Sequence, residues 1–345
     1  MSISFLIPDI HDRPTGGNIY NRRIITELRG STPIAVHSWA PDVDAAAATD
    51  GPLVIDSLLV RHDDALLPLR RAHTGPLVLL AHYLHCLDPR TQDPATARTE
   101  RALLPVFDGV LTTSRYARRA LVREGLPPDR VSTVPPGLDD AYRAPPTAPP
   151  DGVPTLLTVA NLVPGKGLDA FVDRLGTLRD RDWRWVLVGD DTLDPAFAEA
   201  LTAQIRDADV AGRVTTTGPL PPKDVRPWYD DSHLFVLPSR FETCSMATRE
   251  ALSRGRPVVG YDVGGMRDNL GEAVAMAGAT PPGNTPAGRL VPPDAPTAFI
   301  DAVRTLLDAP DTRAAMGRAA REQSGSFPTW PTAAARVRSF LQSLW

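Results

Sequence analysis

Short, nearly continuous apolar runs recur along the first half of the chain: Ile3 to Ile7, Ile34 to Trp39, Leu53 to Leu59, Leu77 to Ala81 and Val110 to Thr113. They show little polar alternation, so they read as strands buried on both faces, the pattern of parallel sheets. Between them, Asn18 to Arg29 and Arg115 to Glu124 carry helical spacing, and the second ends at Gly125 with Pro127 following, a stop signal. A second series follows, with strands at Leu156 to Ala160, Trp185 to Gly189, Val214 to Thr217, Leu234 to Pro238 and Pro257 to Tyr261. Residues 139–154, DDAYRAPPTAPPDGVP, break the pattern and predict a stiff linker. Near the end, Ala335, Val337, Phe340, Leu341 and Leu344 fall on one stripe of a helix that needs a surface to cover it. The alanine run Ala45 to Ala48 predicts an exposed turn or a frayed helix.

A chain of 345 residues suits two such domains. The balance of 42% hydrophobic and 23% charged residues is that of a soluble globular protein, and no apolar run reaches the ~20 residues a membrane helix needs. A formal net charge of -4 argues against a surface built to neutralise nucleic-acid phosphates. Cys86 and Cys244 are too few for a disulfide framework, and the N-terminus enters a strand without a basic leader, so a reducing cytoplasm is the expected location. The arginines of 115–123 read as a solvated helix face in preference to a membrane-surface contact.

Several local patterns can carry chemistry. Gly16-Gly17 opens a helix, where bare backbone lets N–H groups approach a phosphate, although loop geometry alone accounts for such a pair. No G-x-G-x-x-G follows a strand, which removes the main support for a dehydrogenase. The loop from Asn161 to Gly167 presents Lys166 before a helix, without the first glycine or the Ser/Thr of a Walker A loop. Glu242 and Glu250 stand eight residues apart around a helix start, so carboxylates that accept hydrogen bonds from hydroxyls flank N–H groups that favour a diphosphate. His82 ends a strand; with His85 and Cys86 it lacks the further ligand and spacing of a metal site. Asp190, Asp191 and Asp194 follow a strand and read as a solvated or base-side loop, not as a Mg²⁺ site. Gly264-Gly265 reads as a turn, either structural alone or one that also lets backbone approach a bound ligand.

Taken in order, the loop lysine, Gly218-Pro-Leu-Pro-Pro-Lys-Asp, the strand Leu234 to Ser239, the Glu-x7-Glu pair and Gly255-Arg-Pro-Val-Val resemble glycosyltransferase family 4 over residues 155–265. The likeness extends at lower specificity to Gly16-Gly17, Leu77 to His82, Val131 to Gly137 and the tail around Trp330. The resemblance implies a GT-B architecture of two Rossmann-like β/α/β domains facing an interdomain cleft. The N-terminal acceptor domain is expected over 1–140 with the helix 330–345 packed back on it, a linker over 141–154, and the nucleotide-sugar donor domain over 155–325. It further implies a retaining, metal-independent hexosyltransferase that uses a UDP- or GDP-sugar and a small-molecule or glycoconjugate acceptor, with no cofactor. Glu250 would hold the donor ribose and Glu242 the sugar hydroxyls. Lys166 with the Cys244, Ser245 and Met246 amides would hold the diphosphate, and His82 would sit beside the sugar; Gly16, Gly17 and Asn161 complete the expected donor contacts. Asn161 stands where many relatives carry an arginine, and Arg13, Arg240 or the Gly16 and Gly17 amides are the candidates to replace that cation. Thr243 and Ser245 replace glycines common in the family. A sugar-nucleotide epimerase or hydrolase on the same fold, a phosphorylase and a non-catalytic nucleotide-sugar sensor are the alternatives.

Overall fold

The computed structural model describes residues 2–8, 15–38, 50–271, 275–276 and 285–345. The chain forms two compact units, Met1–Gly137 with Pro328–Trp345, and Leu138–Phe327. Trp39, Arg13 and Ala45 to Ala48 lie outside the described residues.

The first unit holds strands β1 (Ile3–Ile7), β2 (Ile34–Ser38), β3 (Leu53–Asp56), β4 (Leu77–Ala81), β5 (Gly109–Thr112) and β6 (Val131–Thr133). All pair in parallel, in the order β2-β1-β3-β4-β5-β6. β1 and β4 are buried at every position, which is why they appear in the sequence as unbroken apolar runs. The run expected to reach Leu59 stops at Asp56, because the Asp56 carboxylate accepts the Leu58 N–H at 2.9 Å and turns Ser57–Leu59 into a 3-10 turn. The helix expected from Asn18 starts at Gly16, because the Thr15 hydroxyl accepts the Asn18 N–H at 3.2 Å and caps it two residues earlier. The final helix, Trp330–Leu344, packs along Gly16–Arg29 and buries Trp330, Ala333, Ala334, Val337 and Leu341. Phe340 and Leu344 of its stripe reach Gly109, where a Cβ would meet them at 2.8 and 2.6 Å.

The second unit holds β7 (Thr155–Val159), β8 (Arg184–Val188), β9 (Val214–Thr216), β10 (Leu234–Leu237), β11 (Val258–Tyr261), β12 (Ala275–Met276) and β13 (Gly288–Val291). Its order is β12-β13-β11-β10-β7-β8-β9, again all parallel. A buried polar chain pins the centre: Trp185 Nε1 donates to Thr158 Oγ1 at 3.0 Å, and that hydroxyl donates to the Val236 carbonyl at 2.6 Å. β8, β7 and β10 are thereby tied across their ladders with every polar atom of the chain satisfied.

The central reversal of strand order lies between β1 and β3 in the first sheet and between β7 and β10 in the second, whose edge pair β13 and β12 reverses the order once more. Right-handed crossovers on either side of a reversal put helices on opposite faces and leave a crevice at the carboxyl ends of the two strands, where ligands of open α/β sheets bind.

Residues 141–154, expected as a linker, fall within the second unit. Prolines there supply no N–H and the segment makes no sheet ladder, so its carbonyls need side-chain donors. Arg254, 1% exposed, supplies them to Ala144 at 2.7 Å and Pro145 at 3.3 Å while its Nε donates to Asp230 at 2.6 Å. Arg256 adds Thr147 at 2.7 Å, and Arg321 bonds the Arg143 and Ser253 carbonyls. Replacing Arg254 by Met leaves a buried carboxylate and two carbonyls without their donor; we expect a loss of about 3 kcal/mol, read as a fall in the urea midpoint.

Candidate active site

At the reversal of the second sheet, the loops that follow β7 and β10 are locked together through backbone. The Arg240 N–H donates to the Gly165 carbonyl at 2.9 Å. Gly167 is left-handed at φ 63°, and a Cβ there would lie 2.2 Å from the Pro238 carbonyl, so no other residue fits. This approach brings Lys166 Nζ to 2.7 Å from Glu242 Oε1, with the lysine side chain 28% exposed and the glutamate 9%. Gly264 and Gly265 buttress Glu242 from behind: a Cβ on Gly264 (φ 52°) would meet the Glu242 carbonyl at 1.9 Å, and the Gly265 N–H donates to it at 2.8 Å. The glycine pair read from sequence as a turn is thus the support of a carboxylate.

Next to this pair, Ser245 adopts φ 60° and caps the helix Met246–Ser253, its hydroxyl accepting the Thr248 N–H at 3.3 Å. The buried Asn269 side chain donates both to the Cys244 carbonyl and, at 3.2 Å, to the Ser245 carbonyl. In a trans peptide the N–H points away from the preceding carbonyl. Tying both carbonyls to one amide therefore turns the Ser245 and Met246 N–H groups together to the opposite side, a nest of donors at a helix N-terminus suited to an anion. Cys244 itself is buried, and burial raises its thiol above the usual range against an opposing pull from Arg249; it serves through its backbone. Asn269 carries no sequence motif and went unnoticed.

Glu250 lies on the same helix and accepts from the Tyr229 hydroxyl at 2.9 Å. Burial raises its carboxyl to about 7, the Tyr229 hydrogen bond pulls it back, Asp139 pushes it up and Tyr142 lowers it. Tyr142 and Tyr229 are buried and pack edge to face, 5.8 Å between ring centroids. Asn161 Oδ1 accepts the Asp190 N–H at 3.4 Å, a bridge between the ends of β7 and β8. Arg240 pairs with Asp169 at 2.7 Å and is half exposed, next to the Lys166 loop. Of the three aspartates after β8, Asp190 accepts from the Thr192 backbone and hydroxyl, and Asp194 caps the helix Pro195–Asp207. Among the described residues no group of three His, Cys, Asp or Glu side chains is placed to hold a metal ion.

Gly16, Gly17 and His82 gather in the other unit, beside the reversal between β1 and β3. A Cβ on Gly16 would meet open space, whereas one on Gly17 would lie 3.3 Å from the His82 ring. His85 is spent on Thr91 at 2.9 Å, and the Cys86 N–H on Glu100 at 2.8 Å. No helix among the described residues is long and apolar enough to cross a membrane.

Two doubly wound parallel units, each with its polar groups at the reversal of its sheet, define the GT-B class. The fold matches sucrose-phosphate synthase from Thermosynechococcus elongatus with a TM-score of 0.79 at 18% identity, covering 100% of this chain and 99% of that one. It matches Anabaena HepE in complex with UDP-glucose with a TM-score of 0.79 at 18% identity, covering 100% of both chains. Family models described as "Glycosyl transferases group 1" and "Glycosyltransferase Family 4" match residues 153–309 and 13–142. The chain belongs to glycosyltransferase family 4. It is 29% identical over 264 residues to D-inositol 3-phosphate glycosyltransferase of Kineococcus radiotolerans, covering 71% of this chain and 59% of that protein. It is 28% identical over 262 residues to alpha-D-kanosaminyltransferase of Streptomyces kanamyceticus, covering 70% and 64%. The chain thus spans less than two thirds of the length of these curated relatives.

A carboxyl raised from 4.5 to about 7 makes stability depend on pH. Between those values the folded chain binds the proton that the unfolded chain releases, so this group's contribution is full below pH 4.5 and is lost as pH rises through 7. Glu250→Gln should therefore melt higher than the parent at pH 8 in calorimetry, a gain that shrinks as the pH falls towards 5.

Proposed function

We propose that the protein transfers a hexose from a UDP- or GDP-sugar to an acceptor hydroxyl with retention of configuration. The observation that carries this reading is the cation, the nest of two N–H groups and the two carboxylates assembled at the reversal between β7 and β10. A diphosphate needs the first two, and sugar and ribose hydroxyls need the carboxylates. The family membership and the nucleotide-sugar ligand named for HepE support it.

Lys166 is held by Glu242 at 2.7 Å. A bound diphosphate draws Lys166 to itself and leaves Glu242 free to accept sugar hydroxyls. The Ser245 and Met246 amides take the second phosphate, and Glu250 accepts the ribose hydroxyls. As the bond from the anomeric carbon to the phosphate oxygen breaks, negative charge grows on the diphosphate, where fixed donors stabilise the transition state more than the ground state. The acceptor oxygen attacks the same face, and its proton passes to the departing phosphate oxygen. One nucleoside diphosphate and one glycoside result, with no protein nucleophile. These residues supply the charge stabilisation without a metal ion or cofactor, and Arg240, once it releases Asp169, fits the place of the cation that Asn161 lacks. The Leu138–Phe327 unit is the donor unit on this reading, and the first unit takes a small-molecule or glycoconjugate acceptor. Neither nucleic acid nor a membrane surface is required, and the nucleotide-sugar supply of the cytoplasm suits the reaction.

A ligand that binds only the folded chain raises its melting temperature, by about 2.7 kcal/mol of stabilisation at a hundredfold excess over Kd. In a panel of UDP-, GDP-, ADP- and TDP-sugars we expect one nucleotide class to raise the midpoint by several degrees. Lys166→Ala and Glu250→Ala should each abolish the rise while remaining folded. A flat response to the whole panel at millimolar ligand would remove the reading.

A further inference from the structure

The arginines that hold the proline-rich segment converge on one residue of it, Tyr142. Its carbonyl accepts from Arg254 at 3.5 Å and from Arg321 at 3.3 Å. The Ala144 carbonyl takes Arg254 as well, and the Arg143 carbonyl takes Arg321. Backbone held in this way buries the Tyr142 ring, 6% exposed, edge to face on Tyr229.

Tyr229 arrives from another element, the end of the helix Pro222–Asp230. It is 0% exposed between Tyr142 and Phe235, whose ring centroids each lie 5.8 Å from its own. Its hydroxyl donates to Glu250 Oε2 at 2.9 Å and lies 3.2 Å from the Ala247 carbonyl, one turn earlier on the helix that carries Glu250. A phenol has one proton to give, and the nearer acceptor is the one that can be charged. Tyr142 hydrogen-bonds the same carboxyl. Two rigid rings from separate elements thus close on one flexible side chain.

A glutamate left free spreads over many rotamers, and a ligand that has to order it binds more weakly for doing so. Here the ordering is done by the fold. Burial, and then the Glu250 charge, raise both tyrosines far above the ordinary phenol range, so both remain donors near neutral pH. The titratable groups facing Glu250 are these two hydroxyls and Asp139, with Arg226 acting on Tyr142. Burial and Asp139 favour the carboxylic acid, and the two hydroxyls favour the carboxylate.

We propose that Tyr229 and Tyr142 are positioning residues that fix the Glu250 carboxyl in one orientation, as an acceptor for the donor's ribose hydroxyls, and that the arginine-held proline-rich segment is what delivers Tyr142. Ribose as the ligand follows from the donor reading above, whereas the clamp rests on the geometry alone. Binding of the ribose is then coupled to ionisation of Glu250.

The test compares UDP and GDP with their 2′,3′-dideoxy forms by calorimetric titration on both sides of pH 7. Within each pair the phosphates titrate alike, so the affinity ratio isolates the ribose hydroxyls. For the nucleotide that binds, we expect a preference of about tenfold over its dideoxy form above pH 7, fading as the pH falls below 7. Tyr229→Phe and Tyr142→Phe each remove one donor to the charged form. Each should cut the preference severalfold at pH 7 and move its fading to higher pH, while the dideoxy affinity changes less than about twofold. Without ligand, a ¹³C titration of the glutamate carboxyls, with Glu250 assigned by Glu250→Gln, should show the same upward displacement. A Glu250 titration unmoved in both variants would overturn the clamp. A preference that survives both substitutions, or a loss shared equally by the ribose and dideoxy forms, would overturn the positioning role and spare the donor reading. Failure of both UDP and GDP to bind, with the Glu250 titration displaced as expected, would count against the donor reading and the ribose role, while leaving the clamp standing.

Discussion

The parallel pairing of β10 with β7 is the interaction on which the candidate site depends. Those strands are far apart in sequence, and their adjacency is what carries the loop ending in Gly167 onto the Pro238 carbonyl and Lys166 onto Glu242. The pairing is secured from inside by the hydrogen-bond chain Trp185–Thr158–Val236, which would leave buried polar atoms unmatched in any other register. β10 is apolar and buried at every position, so a one-residue slip would exchange side chains of different shape between two close-packed faces. The register thus protects both the core and the geometry of the charged pair above it.

Function here is built on groups held at some expense to the fold. Glu250 is partly buried beside Tyr229 and Tyr142, a setting that disfavours its charge. Glu242 is nearly sealed and relies on Lys166. Ser245 occupies left-handed backbone that a side chain rarely adopts. Each departs from what stability alone would select, and all three crowd around one helix start. Strain and uncomfortable charge gathered at one crevice are a mark of a site shaped for a ligand.

Much of this was legible in the sequence, for a physical reason. Strands buried on both faces leave continuous apolar runs, so β1, β4, β7, β8, β10 and β11 could be read to within a residue or so. Lys166, Glu242 and Glu250 stand on loops or helix starts whose order is itself a pattern. β12 and β13 were not anticipated; β12 is only two residues long, and Gly288 and Arg289 interrupt the apolar character of β13. Asn269, Tyr229 and Tyr142 were missed because their work is to orient other groups. Tyr229 meets Glu250 across 21 residues, and nothing local marks such a meeting. Arg256 was read only as part of a motif and Arg254 not at all, yet both hold the proline-rich segment in the second unit.

The central claim is that the crevice between β7 and β10 recognises a diphosphate through Lys166 and the Ser245 and Met246 amides. Calorimetric titration of UDP against UMP, and GDP against GMP, tests it most directly, since each pair differs only in the second phosphate. The account predicts that the diphosphate of one pair binds at least about tenfold tighter than its monophosphate, and that Lys166→Met removes most of the difference. Equal affinities within both pairs, or a difference untouched by Lys166→Met, would contradict it.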